Sequence, residues 1–595
     1  WAKFVEELQV QYDNVTGDIL ISSGVVAYLG CFVQSYRTFA VDAWCNMLKE
    51  KKITCSDPFS IIETLGEPVK IRSWTIDKLP NDSFSIANAI MLNLSKRWPL
   101  MIDPQMQANL WVKTMEEKND LKVCRQSQGT FVRTIENAVQ FGRPVLLEDV
   151  PENLDPVLES VLLMNVVKVG GQPSIRVGDN MVTLEAGFKL YMTTRLPNPH
   201  YPPETCVKIN LLNFMATEAG LMDQMLGVTV GAERPDLEKK REELVIQDAE
   251  NKRQLKEIED TILELLAKAE GNILDDSVLI ETLSQSKVTS NKIEKQVAIA
   301  ARTSAKINKT RQSYEPVALR VAILFFCIAD LAAVDPMYQY SLNWYVNLFL
   351  LAIQQAEKGS SLEARLTALV DKFTDILYVN VCRSLFEKDK LLFSFLLAMK
   401  VMVREGRVEQ EHLRYFLSGN TAVDLPEANP VDDPEDKWLS DKSWGDLLSL
   451  SNSFGELFAW VLKDFKFRPK NWRRVCEATD PMDLLKELFE ADHPELSAFH
   501  FLTLLRCVRP DMVIGELTKF VSDSMGPQFV DPPSFDLGVS FDVSTCETPL
   551  IMVLTSGADP MTVLLRLATE MGYTADNGRL FSISLGQGQG PRAEN

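Results

Sequence analysis

Four short apolar runs, each fenced by turn chemistry, most constrain what this chain can fold into. They are Pro99-Leu-Met-Ile102, Arg143-Pro144-Val-Leu-Leu147, Phe188-Lys-Leu-Tyr-Met-Thr-Thr194 and Val207-Lys-Ile-Asn-Leu-Leu212. Asp103-Pro104 follows the first, Glu148-Asp149 the second, and a glycine-rich, hairpin-like stretch from Gly170 to Gly187 precedes the third. Each run has the length and composition of a buried strand. Before the second run lies an amphipathic helix with Phe131, Ile135, Ala138 and Val139 on one face, stopped by Gly142. Buried strands separated by helices imply a mostly parallel α/β sheet.

Helical patterns surround this core. Residues 1 to about 12 have helical spacing, and 17 to 50 read as packed helix because Ala, Gly and Leu are mixed through them. From Glu233 to Glu270 the chain turns charge-rich, and Leu237, Leu244, Ile258 and Leu265 recur every seven residues with Asn251 at the remaining position. A single buried asparagine in a heptad series is a register device of coiled coils. Gly271-Asn272 breaks this helix and a second follows with Ile273, Leu279, Leu283, Ile293, Val297 and Ile307, as a projecting antiparallel coiled-coil hairpin or a flat two-helix lid. Residues 311 to about 425 are helical and apolar; Pro426, Pro430 and Pro434 mark a linker within 420 to 445. Further on, Pro549-Leu-Ile-Met-Val-Leu-Thr555 reads as a strand and Met561 to Met571 as a helix, with Asp559 as N-cap and Pro560 in its first position. Leu580-Phe-Ser-Ile-Ser-Leu585 reads as one more strand, ending in Gly586-Gln-Gly-Gln-Gly590.

Charge and cysteine usage exclude some functions. With 595 residues and a net charge of -20, nonspecific attraction to nucleic acid or an anionic membrane is disfavoured. Ten scattered cysteines without a Cys-x-x-Cys pair, and four dispersed histidines, point away from zinc and disulfides and toward a reducing compartment. The apolar stretches Val321–Ala329 and Leu342–Ile353 read as core helices: the first is too short to span a bilayer, and Asn343 and Asn347 interrupt the second. Trp1 and the final Gly-Pro-Arg-Ala-Glu-Asn suggest an internal fragment.

Strand–loop–helix units invite a search for a phosphate loop, which needs glycines, a lysine for the terminal phosphates and a Ser or Thr for magnesium. No Gly-Lys dipeptide occurs in the chain. The loop after 99–102, Asp103-Pro104-Gln-Met-Gln-Ala-Asn, has neither glycine nor lysine, and Asp103 would repel a triphosphate. The loop Ser556-Gly-Ala558-Asp559-Pro560 also lacks a lysine, as does the tail Gly586 to Gly590, a tight turn or a weak phosphate cradle. No metal site or other catalytic signature stands out.

These residues resemble a family. Pro99-Leu-Met-Ile-Asp-Pro, Leu196-Pro-Asn-Pro-His-Tyr-Pro-Pro-Glu204, Ala232-Glu-Arg-Pro-Asp-Leu237, Arg383 to Phe395, Arg509-Pro-Asp511, Ser556 to Pro560 and Ser584-Leu-Gly-Gln-Gly-Gln-Gly-Pro591 are similar to segments of dynein heavy chains, with an axonemal flavour. The resemblance implies AAA+ modules: residues 1–15 as the base of a returning stalk helix and 16–232 as the large α/β part of the fifth module. It makes 233–310 the buttress (strut) hairpin, 311–425 the small helical part, 426–445 a linker, and 446–595 the start of the sixth module. Glu148 and Asp149 stand where such modules keep a magnesium aspartate and a catalytic glutamate, in reversed order; the alternative is a solvated or salt-bridged pair. Lys208 stands where some relatives carry an arginine finger toward the neighbouring module; the alternative is a plain surface lysine. The expected role is to relay nucleotide-driven motion to the stalk, with no catalytic residue and no cofactor here, ATP and magnesium being held upstream. Expected partners are the other modules and stalk of the same chain, a microtubule through the stalk tip, and intermediate and light chains, with no nucleic acid and no membrane. The expected place is the cytoskeleton of a cilium or flagellum. The rival reading is a piece of a non-motor, single-chain AAA+ remodelling ATPase.

Overall fold

A computed structural model describes residues 2–268, 277–419, 429–431, 437–531, 536–544, 549–554, 557–574 and 576–583. It divides into two compact units, one of residues 1–377 with 400–405, the other of 378–399 with 406–595.

The first unit is built on a five-stranded sheet. Its strands are β1 (Pro99–Ile102), β2 (Lys122–Arg125), β3 (Pro144–Glu148), β7 (Lys189–Thr194) and β8 (Asn210–Asn213), ordered β2-β3-β7-β1-β8 and all parallel. Both faces are covered, and the side chains alternate between them as the strand pleat requires. Leu100, Val145, Leu147, Leu190 and Met192 pack with Phe131, Ile135, Ala138 and Val139 of the helix Phe131–Phe141. Met101, Leu146, Tyr191 and Leu212 face Trp111, Trp74, Ile86 and Ile90 on the other side. Gly142 ends the Phe131–Phe141 helix in the left-handed conformation, at φ 64°. The glycine-rich stretch forms a small antiparallel sheet, β4 (Val166–Val169), β5 (Gln172–Val177) and β6 (Asn180–Thr183), turning at Gly170-Gly171.

Several sequence expectations are revised. The expected strand 207–212 starts late, at Asn210, because Pro202 and Pro203 open a short helix, Pro203–Cys206, whose last turn takes in Val207 and Lys208. The first helical stretch runs on into the second as one helix, Ala2–Tyr28, passing through Gly17, where a Cβ would lie 2.1 Å from the Thr54 carbonyl oxygen; the rest of 17–50 forms a separate helix, Gln34–Glu50. The helix Asp441–Ser453, capped by Ser440, begins inside the stretch read as linker; residues 420–428 and 432–436 of that stretch lie outside the described residues.

The expected strands at 549–555 and 580–585 do not form over their described residues, 549–554 and 580–583. Ile551, Val553 and Phe581 remain exposed, since a strand needs a neighbour to satisfy its backbone and no strand occurs among the described residues of the second unit. That unit is helical, with a core of Trp444, Phe458, Phe465, Trp472, Phe489 and Leu502.

Two long helices, Pro235–Lys268 and Ser277–Gln312, pack against each other in the first unit. Arg72 of the helix Pro68–Ile76 holds the first of them through Asp248 at 2.6 Å. The apolar run at 321–329 belongs to a longer segment, Glu315–Ala333, long and apolar enough to cross a membrane. Its Val317, Val321, Leu324, Phe325 and Ile328 are instead buried within the unit, where Phe325 meets Tyr345 edge to face.

Candidate functional site

In a parallel sheet of this kind ligands bind beyond the carboxyl ends of the central strands. Here β1, β3 and β7 deliver Asp103, Glu148 and Thr193 to that edge. Asp103 is 1% exposed, and its backbone N–H bonds to the Thr194 carbonyl. Pro104 and Gln105 turn the chain, and Met106, in the left-handed conformation, starts the helix Gln107–Glu116. The Asp103 carboxylate then folds back over that helix's own amino end. One oxygen accepts the Gln107 N–H at 2.8 Å and the other the Asn109 N–H at 2.8 Å.

These are the orphan donors and positive dipole end that a phosphate would use. Asp103 therefore does more than repel an anion: it takes the anion's place. Burial pushes its carboxyl up to about 7, against the pull of the backbone N–H groups of Asn109, Gln107, Ala108 and Met106.

The acidic pair is also committed. Glu148, 6% exposed, accepts from the Asn109 amide at 2.9 Å and from Lys113 at 2.6 Å, with Arg125 3.5 Å away. Burial acts to raise its carboxyl, but Lys113 and Asn109 outweigh that and hold it below the usual glutamate range. Asp149, at φ 53°, is paired as well: Arg195 grips both its oxygens and Arg125, shared with Glu148, lies 3.1 Å away. Lys113, Arg125 and Arg195 are the site residues that sequence reasoning missed. Lys113 stands on the helix behind the loop, at a spacing no phosphate-loop pattern samples. Farther along that helix, Glu116 receives Lys189, Tyr191 and Asn119, which locks the helix onto β7.

The remaining candidates lie apart from this cluster. Lys208 is bonded to Glu159 at 2.6 Å, its side chain about a quarter exposed. In the second unit Ala558 is exposed and Asp559 accepts the Met561 N–H at 2.9 Å, so it caps the helix Met561–Glu570 from one residue farther out than expected, with Pro560 as the flanking residue. Gly586 to Gly590 lie outside the described residues. Along the heptad, Leu237, Leu244 and Ile258 are half-buried and Asn251 is 6% exposed, its amide nitrogen unpartnered among the described residues; the Leu265 side chain lies outside the described ones. Among the described residues no group of three or more His, Cys, Asp or Glu side chains could hold a metal ion.

Known proteins resemble the whole chain. Residues 72–293 match a family model described as the ATP-binding dynein motor region, and residues 545–595 match dynein heavy chain region D6 P-loop domain. The chain is 44% identical over its full 595 residues to dynein axonemal heavy chain 3 of Mus musculus and 44% to dynein axonemal heavy chain 1 of Homo sapiens. It is 38% identical over 595 residues to the dynein-1-beta heavy chain, flagellar inner arm I1 complex, of Chlamydomonas reinhardtii. It covers 14%, 14% and 13% of those proteins, about a seventh of their length. The residues at 103–109 do not fit the nucleotide that the first description names: the amides are taken by Asp103, no lysine follows a glycine, and Glu148 is held by Lys113.

Proposed function

The chain belongs to the dynein heavy chain family, and from that premise we propose that its first unit is a nucleotide-free ring module which passes on motion generated elsewhere in the motor. One observation carries the reading: the Asp103 carboxylate sits on the amides where a phosphate would bind. A module filled by its own side chain has no empty and loaded states for ATP to choose between, and a ligand shifts only an equilibrium it binds unequally. The remaining role is mechanical. The helix pair 235–312 acts as a strut, joined to the body by Arg72–Asp248 and, at its base, by the approach of Arg311 to Asp223. Its heptad and buried Asn251 support a coiled coil with a fixed register.

In the whole motor this strut would act on the stalk and so set microtubule affinity, in an axonemal setting with intermediate and light chains. A non-motor remodelling ATPase is the weaker reading, because the relatives reported above are dynein heavy chains. Titrating the chain with Mg-ATP in a calorimeter is expected to give no binding tighter than about 1 mM. A saturable, magnesium-dependent isotherm in the micromolar range would sink the proposal. The strut itself is tested by Asn251→Leu in the full motor. Removing a buried unpartnered amide should raise helix-pair stability by about 1 kcal/mol while loosening the coupling between ATPase rate and microtubule binding. Unchanged coupling speaks against a register role.

A further inference from the structure

The helix Glu218–Glu233 touches the filled loop at one residue and the base of the helix pair at the one before it. Gln224 accepts a bond from Gln107, the first residue after the loop, at 3.2 Å. Asp223 lies 3.7 Å from Arg311, near the end of the second long helix. Arg311 is 5% exposed and also stands 3.3 Å from Glu238, near the start of the first long helix.

Neither approach has hydrogen-bond geometry. Nε and Nη2 of Arg311 and Oε2 of Glu238 are buried with no hydrogen-bond partner among the described residues. A buried guanidinium thus lies between carboxylates on two elements and is fully bonded to neither. A buried cation stripped of both partners would be strongly destabilised, whereas moving between them always leaves it one. Each acid also has a fallback. Glu238 keeps Arg241 at 2.8 Å, and Asp223, with its side chain 40% exposed, keeps water. Gly227 leaves room for the exchange, since even a Cβ there would stay 3.8 Å from Glu238 Oε1 and 3.9 Å from Arg311 Nη2.

We propose that Arg311 is a positioning residue that trades between Glu238 and Asp223, and so sets how the helix pair sits on the helix Glu218–Glu233. The proposal rests on the relay reading above and supplies the bistable element such a relay needs. Tightening onto Glu238 draws the base of the pair together. Tightening onto Asp223 ties the pair to the helix that contacts the Gln107 side chain.

The test is amide hydrogen exchange on the 595-residue chain carrying Glu238→Gln or Asp223→Asn. With Glu238→Gln, exchange over 237–248 is expected to rise about tenfold, while 218–226 stays as protected as before or more so. With Asp223→Asn the pattern reverses, with faster exchange at 218–226 and an unchanged or tighter strut base. The idea is overturned if both variants loosen the same element, as a static strut would, or if neither changes exchange. The readout needs neither nucleotide nor microtubules, so a failed relay in the full motor and a failed exchange of partners give different results.

Discussion

Replacing Asp103 by alanine is expected to destabilise the first unit by about 2–4 kcal/mol, the cost of leaving two buried backbone donors unmet. Those donors are the Gln107 and Asn109 N–H groups, and nothing else described reaches them. The loss should depend on pH in a stated direction. The folded carboxyl titrates at about 7, above the unfolded value of about 4. Between those values the folded chain binds more protons than the unfolded one. Asp103's contribution is therefore present in full below about pH 4 and is lost as pH rises through about 7. Urea unfolding of both proteins at pH 5 and pH 8 should show the larger gap at pH 5. A gap that widens toward pH 8 would mean that the backbone N–H groups outweigh burial and hold the folded carboxyl below its unfolded value. The variant is not expected to gain ATP binding, because the loop still lacks a lysine.

Trp111→Ala should be as damaging, at about 3–5 kcal/mol. Trp111 is fully buried on the same helix, edge to face with Trp74 at 6.2 Å and tilted against Phe214 at 6.0 Å, so no nearby side chain can collapse into its space without leaving another void. Trp111→Phe should behave very differently. The Trp111 indole N–H is buried without a partner among the described residues, and removing it relieves about 1–3 kcal/mol of unmet hydrogen bonding. That gain offsets most of the lost area, so the phenylalanine variant should unfold within about 1.5 kcal/mol of the parent. Equal losses in the two variants would show that ring volume alone matters here.

The sheet was legible in the sequence where strands are buried on both faces and illegible where they are not. Pro99–Ile102 reads as a strand because all four of its residues are buried. Lys122–Arg125 escapes notice because it is an edge strand with only Cys124 buried, and its two cations look like loop. The run at 549–555 misleads in the opposite sense: apolar composition marks a strand only if a neighbour exists to pair with it. At the site, the missing lysine is plain from residues alone. The positive fact, that Asp103 bonds to amides four and six residues on, depends on the left-handed turn at Met106, which its sequence does not signal. The grips of Lys113 and Arg195 join elements far apart in the chain, and no local pattern encodes such pairs.

If the module is nucleotide-free, as proposed, Asp103 also sets how it responds to the energy state of the cell. A ligand tethered to the backbone by its own short side chain competes at an effective concentration that dilution cannot lower. On the proposed reading, cellular ATP could collapse or surge without displacing it. Modules that load and unload nucleotide alter their compliance as fuel runs down; under the proposed role this one would keep the same stiffness whether fuel is scarce or plentiful. On the proposed reading, it would hand on the motion of the fuelled modules with a stiffness that does not vary with fuel.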